Sequence, residues 1–253
     1  DRLKTLDDQS KGNLGENCSL IYMALGKLQA VKELAKMLPQ QYRERVATGL
    51  ALFTDDYGLL DPFLKYRDKP SPRQDLIIAA ARAGHIREAQ RLFSLWKERR
   101  SNSRVNTFRT TSLGIMEAEL ALGRGDESDA LELLQHHLRV YETLSVTEPR
   151  GLYFLGCESL ARILEQRGEK EEALRVLQHA SRQEWQNPFP IGPVPWIKHQ
   201  WLLASLYRRL GEDQIAKEIE AKLLKMLTHA DADHPMLVEI KARQEADRRI
   251  ADN

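Results

Sequence analysis

The side chains with the richest chemistry stand in a few places along this chain. His229, Asp231, Asp233 and His234 form an H-x-D-x-D-H run of metal-ligand types at close range. The run lacks the i, i+4 helical spacing that converges such residues on one ion, whereas its acids suit a helix start, at the positive end of the helix dipole. A capping loop is therefore expected, with Asp233 or His234 as the cap and Pro235 at the first helical position. His136 and His137 are neighbours about 100° apart around a helix, so one packed and one exposed ring is expected rather than a shared ion. Cys18 and Cys157 lie 139 residues apart in apolar helical patterns, which predicts two reduced, packed thiols. Glu171 and Glu172 sit at a charged helix start, where they complement the dipole instead of forming an acid–base pair. The sequence holds no phosphate-cradling glycine loop, nucleophile elbow, Cys/His cluster or zinc-protease helix. The expectation is no catalytic residues, no metal and no cofactor.

Residues 185–201 are the densest aromatic stretch, with Trp185, Phe189, Trp196 and Trp201 among Pro188, Pro190, Pro193 and Pro195. A loop of this kind either supplies rigid aromatic contacts to a ligand or plugs a joint between packed elements. The basic run Lys97, Arg99, Arg100, Arg104 and Arg109 flanks a Ser/Asn stretch that suits phosphate or an acidic peptide, or a solvated connection. Arg124-Gly125-Asp126 spells an adhesion tripeptide, but its glycine has a structural reason.

That reason is a ruler of turn glycines, Gly84, Gly125, Gly168 and Gly211, spaced 41, 43 and 43 residues apart. Seven residues before them stand Ile77, Ala118, Ala161 and Ala204, and five after them Ala89, Ala130, Ala173 and Ala216. Small residues there let two antiparallel helices approach closely. Apolar residues follow eight after the glycine (Leu92, Leu133, Val176, Ile219), and Ala80, Ala121, Leu164 and Tyr207 stand four before it, giving each helix one apolar stripe. Glycine ends each first helix because it adopts positive φ without a steric penalty. A weaker copy surrounds Gly26. The 58 residues from Gly26 to Gly84 hold a degenerate unit, with helices predicted over about 41–53 and 59–66, and Pro70 and Pro72 reset the chain. The predicted layout is a flexible segment over 1–13, repeats over 14–228 with the degenerate unit at 41–68, and a capping helix over 235–253.

Basic and acidic residues nearly cancel, 38 against 37, so no overall field draws nucleic acid or an anionic membrane. No stretch approaches the roughly 18 apolar residues of a membrane span, and residues 1–17 lack a signal-peptide core. The cysteine usage favours a cytoplasmic setting, with a periplasmic or other extracytoplasmic domain as the alternative. The opening without Met suggests a piece of a longer protein.

The glycine, alanine and apolar offsets resemble the tetratricopeptide repeat, most clearly over 154–180 and 197–223 and also over 73–140. The spacing exceeds the usual ~34 residues, which implies longer helices, and most copies lack the closing proline. Residues 210–235 also look like the C-terminal repeats attached to multidomain bacterial regulators and eukaryotic-like Ser/Thr kinases. The resemblance implies an all-α fold of antiparallel helical hairpins stacked into a right-handed superhelical solenoid, with ligands on a concave face built from the first helix of each hairpin. Carried over by offset, that groove comprises Glu158, Arg162, Glu165, Lys198, Trp201, Ser205 and Arg208. The Lys and Asn of the family's carboxylate clamp are absent from it, which disfavours capture of a free C-terminal carboxylate.

The resulting expectation is a non-catalytic protein- or peptide-interaction module, the scaffold or sensory part of a larger regulatory protein. The alternative is an effector domain that encloses a small molecule or short signal peptide near residues 185–201, with Trp185, Phe189 and Trp196 as contacts. The packing register is testable. Ala173→Leu should overpack a hairpin and cost about 1–3 kcal/mol, and Leu177→Ala should open a cavity costing about 2–5 kcal/mol. A thermal melt unchanged by either substitution would overturn the register.

Overall fold

The computed structural model describes residues 7–64, 72–101, 107–143, 151–182 and 194–251, and among these every regular element is helical. The chain divides into two compact units, Ala47–Ile191 and a second made of Asp1–Val46 with Gly192–Asn253. The first unit holds a 3-10 turn (Tyr57–Leu60) and α4 (Asp61–Leu64), then α5 (Gln74–Arg82), α6 (Ile86–Ser101), α7 (Thr107–Arg124), α8 (Glu127–Thr143), α9 (Gly151–Gln166) and α10 (Lys170–Arg182). The second holds α1 (Asp8–Ala24), α2 (Leu28–Lys36), α11 (Val194–Arg209), α12 (Asp213–Met226) and α13 (Pro235–Ala251). Helix α3 (Gln40–Thr54) contributes residues to both.

All five ruler glycines have φ between 71° and 85°. Each closes the same pair of bonds. At the first-unit turns Gly84 N donates to Ala81 O and His85 N to Ala80 O, both at 3.0 Å, and the Gly26, Gly125, Gly168 and Gly211 turns repeat the pattern. These are Schellman caps, which satisfy carbonyls that the helix end leaves open. The residue four before each glycine is the acceptor of the longer bond.

Close approach follows from the alanines. Ala89, Ala130, Ala173 and Ala216 are all 0% exposed, so each second helix lies on its partner through Cβ alone. At the Gly84 hairpin Leu92 is buried as the spacing predicts, together with Phe93. At the next two the larger knob sits one position later: Leu134 and Leu177 are buried, whereas Leu133, Val176 and also Ile219 are half-buried, because the row through the alanine continues at i+4. Helices pack in chain order within the first unit, α5 on α6 and α7, α7 on α8 and α9, and α8 and α10 on α9.

The second unit departs from a single linear run of repeats, because it pairs the Gly26 hairpin with the Gly211 hairpin, α1 against α11. The H-x-D-x-D-H loop fastens them. Asp231 N donates to Gly26 O at 3.0 Å, and Asp231 Oδ2 accepts from Gln29 N at 2.8 Å. The carboxylate thus caps α2, whose own N-cap residue, Lys27, supplies no side-chain bond. His234 stands just before α13 and its carbonyl accepts from Val238 N at 3.0 Å, but the carboxylate of this loop that caps a helix is Asp231, on α2 rather than on α13.

The expected flexible segment 1–13 is corrected in part. Helix α1 begins at Asp8, with the Asp7 carboxylate accepting from Gln9 N (3.0 Å) and Ser10 N (2.9 Å). Gly12, inside that segment, and Gly15, just beyond it, are buried because Tyr42 and Leu38 occupy the space a Cβ would need.

A pair of substitutions separates backbone strain from contact. Both Gly26→Ala and Gly168→Ala should lose about 1–2 kcal/mol to positive φ. Only at Gly26 would the new Cβ meet a neighbour, Ala230 Cβ at 2.5 Å, whereas nothing lies within 4 Å at Gly168. Gly26→Ala should therefore be the more destabilising by roughly 1–3 kcal/mol. Equal denaturant midpoints would show that the Ala230 contact yields freely.

Candidate functional site

The helices that open the hairpins carry charge inward, and in each unit the charge collects on a buried arginine–carboxylate network. In the first unit the centre is Arg82, at the end of α5, with its side chain 8% exposed. Its fork meets Glu119 of α7, Nε to Oε2 at 3.1 Å and Nη2 to Oε1 at 2.8 Å. Nη2 also donates to Leu155 O (2.9 Å) and Ser159 Oγ (2.8 Å) of α9, and Ser159 Oγ donates to Glu119 Oε1 at 2.7 Å. Nη1 lies 3.3 Å from Glu158 Oε2. Burial opposes the Arg82 charge, but Glu119 and Glu158 more than offset it and hold the guanidinium well above its ordinary value.

From Glu158 the network reaches the surface. Glu158 Oε1 pairs with Arg162 Nη2 at 2.6 Å, which lies 3.0 Å from Asp55 Oδ2. Tyr57 donates to Asp55 Oδ1 at 3.0 Å, and burial pushes its phenol up. Asp55 has φ 58°, the one non-glycine residue at positive φ among those described. That conformation costs an ordinary residue on the order of 1 kcal/mol, and it is over-determined here by the carboxylate's two partners.

In the second unit the centre is Glu220 of α12, 0% exposed. Arg208 of α11 embraces it, Nη2 to Oε2 at 2.7 Å and Nε to Oε1 at 3.4 Å, and Arg243 Nη1 of α13 lies 3.2 Å from Oε1. Arg243 Nη2 donates to Ser205 Oγ at 2.8 Å and also bonds Glu239. Arg208 Nη1 reaches both oxygens of Asp247, at 3.0 and 2.9 Å, and Lys217 Nζ lies 3.2 Å from Oδ2. Hydrogen bonding from Arg208 first, then from Lys217, holds the Asp247 carboxyl below its ordinary value, while Glu220 raises Arg208.

The predicted groove positions are therefore placed differently from an open charged face. Glu158, Lys198 and Ser205 are buried and Arg208 nearly so, because neighbouring helices of the same chain pack over the inner faces of α9 and α11. Arg162 keeps 43% of its side chain exposed, and Glu165 and Trp201 are half-buried. Trp196 and Trp201 belong to α11 rather than to a loop, since the helix begins at Val194 and accepts Pro195 in its first turn. Trp185 and Phe189 lie outside the described residues.

Sequence reasoning missed Arg82, Glu119, Ser159, Glu220, Arg243 and Asp247. A signal existed for Glu220, because it follows Ala216 by four and precedes Leu223 by three, on the buried row of α12.

Among the described residues no group of three or more His, Cys, Asp or Glu side chains could hold a metal ion. His136 is exposed and His137 half-buried, with burial lowering its pKa. Cys157 is buried, which pushes its thiol up, and both cysteines are free. Lys97 stands over the Phe93 ring at 4.5 Å, while the side chains of Arg100, Arg104 and Arg109 lie outside those described. Arg124 and Asp126 pair with each other at 2.9 Å. No helix among the described residues is long and apolar enough to cross a membrane.

The caps, buried alanines and helix order define an all-helical fold of antiparallel hairpins, stacked in chain order within the first unit. No protein-family model and no curated protein matches the chain. Two solved structures, both of nearly identical TPR-like repeats of a kinesin light chain from Podosopora anserina, are similar to it at 17% identity. They span 87% of this chain and 96% and 97% of their own, with TM-scores of 0.42 and 0.41.

Burial separates two arginines that both face a carboxylate. Arg82→Met should cost about 3–5 kcal/mol, because it leaves Glu119 and Glu158 charged and buried. Arg91→Met, at the exposed Arg91–Glu88 pair, should cost at most about 1 kcal/mol. Similar losses in urea unfolding would show that the Arg82 network is hydrated.

Proposed function

We propose that this chain is a non-catalytic protein- or peptide-interaction module, serving as the scaffold or sensory part of a larger regulatory protein. The observation that carries the reading is the chemistry of the two networks. Every side chain they bring together is a guanidinium, an ammonium, a carboxylate neutralised by one of these, a hydroxyl or a phenol. A guanidinium does not exchange protons near neutrality, and the Asp247 carboxyl, held low by hydrogen bonding from Arg208, is a poor base. Such groups recognise, orient and discriminate partners through directed charged hydrogen bonds. The Cys157 thiol, pushed up by burial, is no nucleophile.

Helix α9 offers the accessible part of the first network. Arg162 is partly exposed, and Glu165, one turn further on, is half-buried on the same helix. Together they mark the accessible edge of the Arg82 network, where a polar peptide segment could exchange with internal partners such as the Asp55 carboxylate on Arg162. The protein immobilised as the full chain should capture a partner from extracts of its native cells, and Arg162→Ala with Glu165→Ala should reduce that capture at least about tenfold, the scale of one binding hot spot. Equal capture by parent and variant, with unchanged melting, would move the binding surface away from α9.

A further inference from the structure

Ser205 and Arg208 stand where the resemblance to the tetratricopeptide repeat implies a binding face, and α13 of the same unit lies over both. The two halves of α13 hold on differently. Met236, Leu237 and Ile240 are buried at 3%, 8% and 0%, so the first half is anchored by apolar packing. Beyond Ile240 the inward row continues with Arg243 and Asp247, which bind the hairpin through ionic and polar bonds to Arg208, Glu220 and Ser205. Lys241, Ala242, Glu245, Ala246, Arg248 and Arg249 are exposed.

Asp247 sits in a site that the hairpin builds without α13. Arg208 comes from α11 and Lys217 from α12, and they converge on one oxygen, Asp247 Oδ2, at 2.9 and 3.2 Å. Glu220 engages Nε and Nη2 of Arg208, so the Nη1 edge is directed at Asp247; Asp213 is the other acid near it, at 3.6 Å. Asp247 and Lys217 keep 28% and 49% of their side chains exposed. Exchanging a carboxylate at such a site has a small net cost, and the end of a helix opens locally more easily than the fold does. Departure of the last turns leaves Glu220 paired with Arg208, so the core keeps its charge balance.

We propose that the last two turns of α13 are an internal stand-in for an acidic peptide. Asp247 fills a carboxylate site made by Arg208 and Lys217, and a side-chain carboxylate of a partner peptide takes its place. The proposal rests on the interaction-module reading and adds its chemistry and control: the partner segment is acidic, and α13 sets the threshold for its entry.

The test uses the full chain and a fluorescent hexaglutamate peptide, acetylated and amidated at its ends so that only side-chain carboxylates are offered. Asp247→Asn removes the competing charge and should tighten hexaglutamate binding by roughly 5- to 10-fold, the expected release of a population tax. Amide exchange across residues 243–249 should quicken. Adding Lys217→Gln to Asp247→Asn should return the affinity to the parent's, and both sites are exposed enough for the melts to stay unchanged. An affinity unaltered by Asp247→Asn, or a gain that survives Lys217→Gln, would overturn the proposal. If capture from native extracts persists while hexaglutamate shows no gain, the latch falls alone; if the gain appears but nothing is captured, the site stands and the module reading falls.

Discussion

Each hairpin depends on one residue whose backbone is left-handed. A Schellman cap turns the chain within two residues of the helix end and consumes the last open carbonyls, so the second helix starts at a fixed angle and distance from the first. The distance is then short because an alanine faces the partner helix five residues later. With turn and separation both set by the backbone, side chains further along have little choice about which neighbour they meet. The networks inherit their geometry from that constraint: Arg82, two residues before Gly84, is carried to Glu119 and Ser159 by the stacking of α5, α7 and α9.

Burying charge in such a stack is costly, and apolar residues of similar size would stabilise the fold as well or better. What the charged version adds is direction. A leucine in the place of Glu220 would accept many orientations of α13, whereas a carboxylate held by two arginines admits few. Hydrogen bonding offsets most of that cost: Arg82 donates to oxygens of Glu119, Leu155 and Ser159, its Nη1 has only the ionic contact with Glu158 at 3.3 Å, and Glu119 receives both arginine and serine.

Legibility in the sequence followed from how local each constraint is. The turn glycines and the alanines at fixed offsets were readable because a backbone demand leaves one residue type at one position. Helix α1 was partly hidden because its first turns, through Asn13, read as loose chain, and the reason for Gly12 and Gly15 lies elsewhere in the chain, in Tyr42 of α3 and in Leu38 of the turn before it. Glu220 was readable in principle: Glu218 faces water and Glu220 does not, and the phase from Ala216 tells them apart. The partners of Arg82 were not readable, since their separations of 37 and 77 residues report no spacing rule. For the same reason the H-x-D-x-D-H loop disclosed its capping chemistry but not that its carboxylate would serve α2.

The groove positions invert the expectation in an instructive way. An offset carried from a resemblance identifies which side of a helix faces the stack interior, and that is the side the chain's own segments also compete for. In the first unit Asp55 and Tyr57 approach Arg162 and Arg82, and in the second α13 approaches Arg208. Both approaches use acids on arginines, the same chemistry an external acidic segment would use. An inner face already complemented from within is selective by default, because any partner must outcompete a tethered group whose effective concentration is high. Affinity then depends on how firmly the internal segment is held. Asp55 is fixed between buried Phe53 and Leu60, whereas Asp247 lies beyond the apolar anchor of α13, so exchange is physically easier at the second site than at the first.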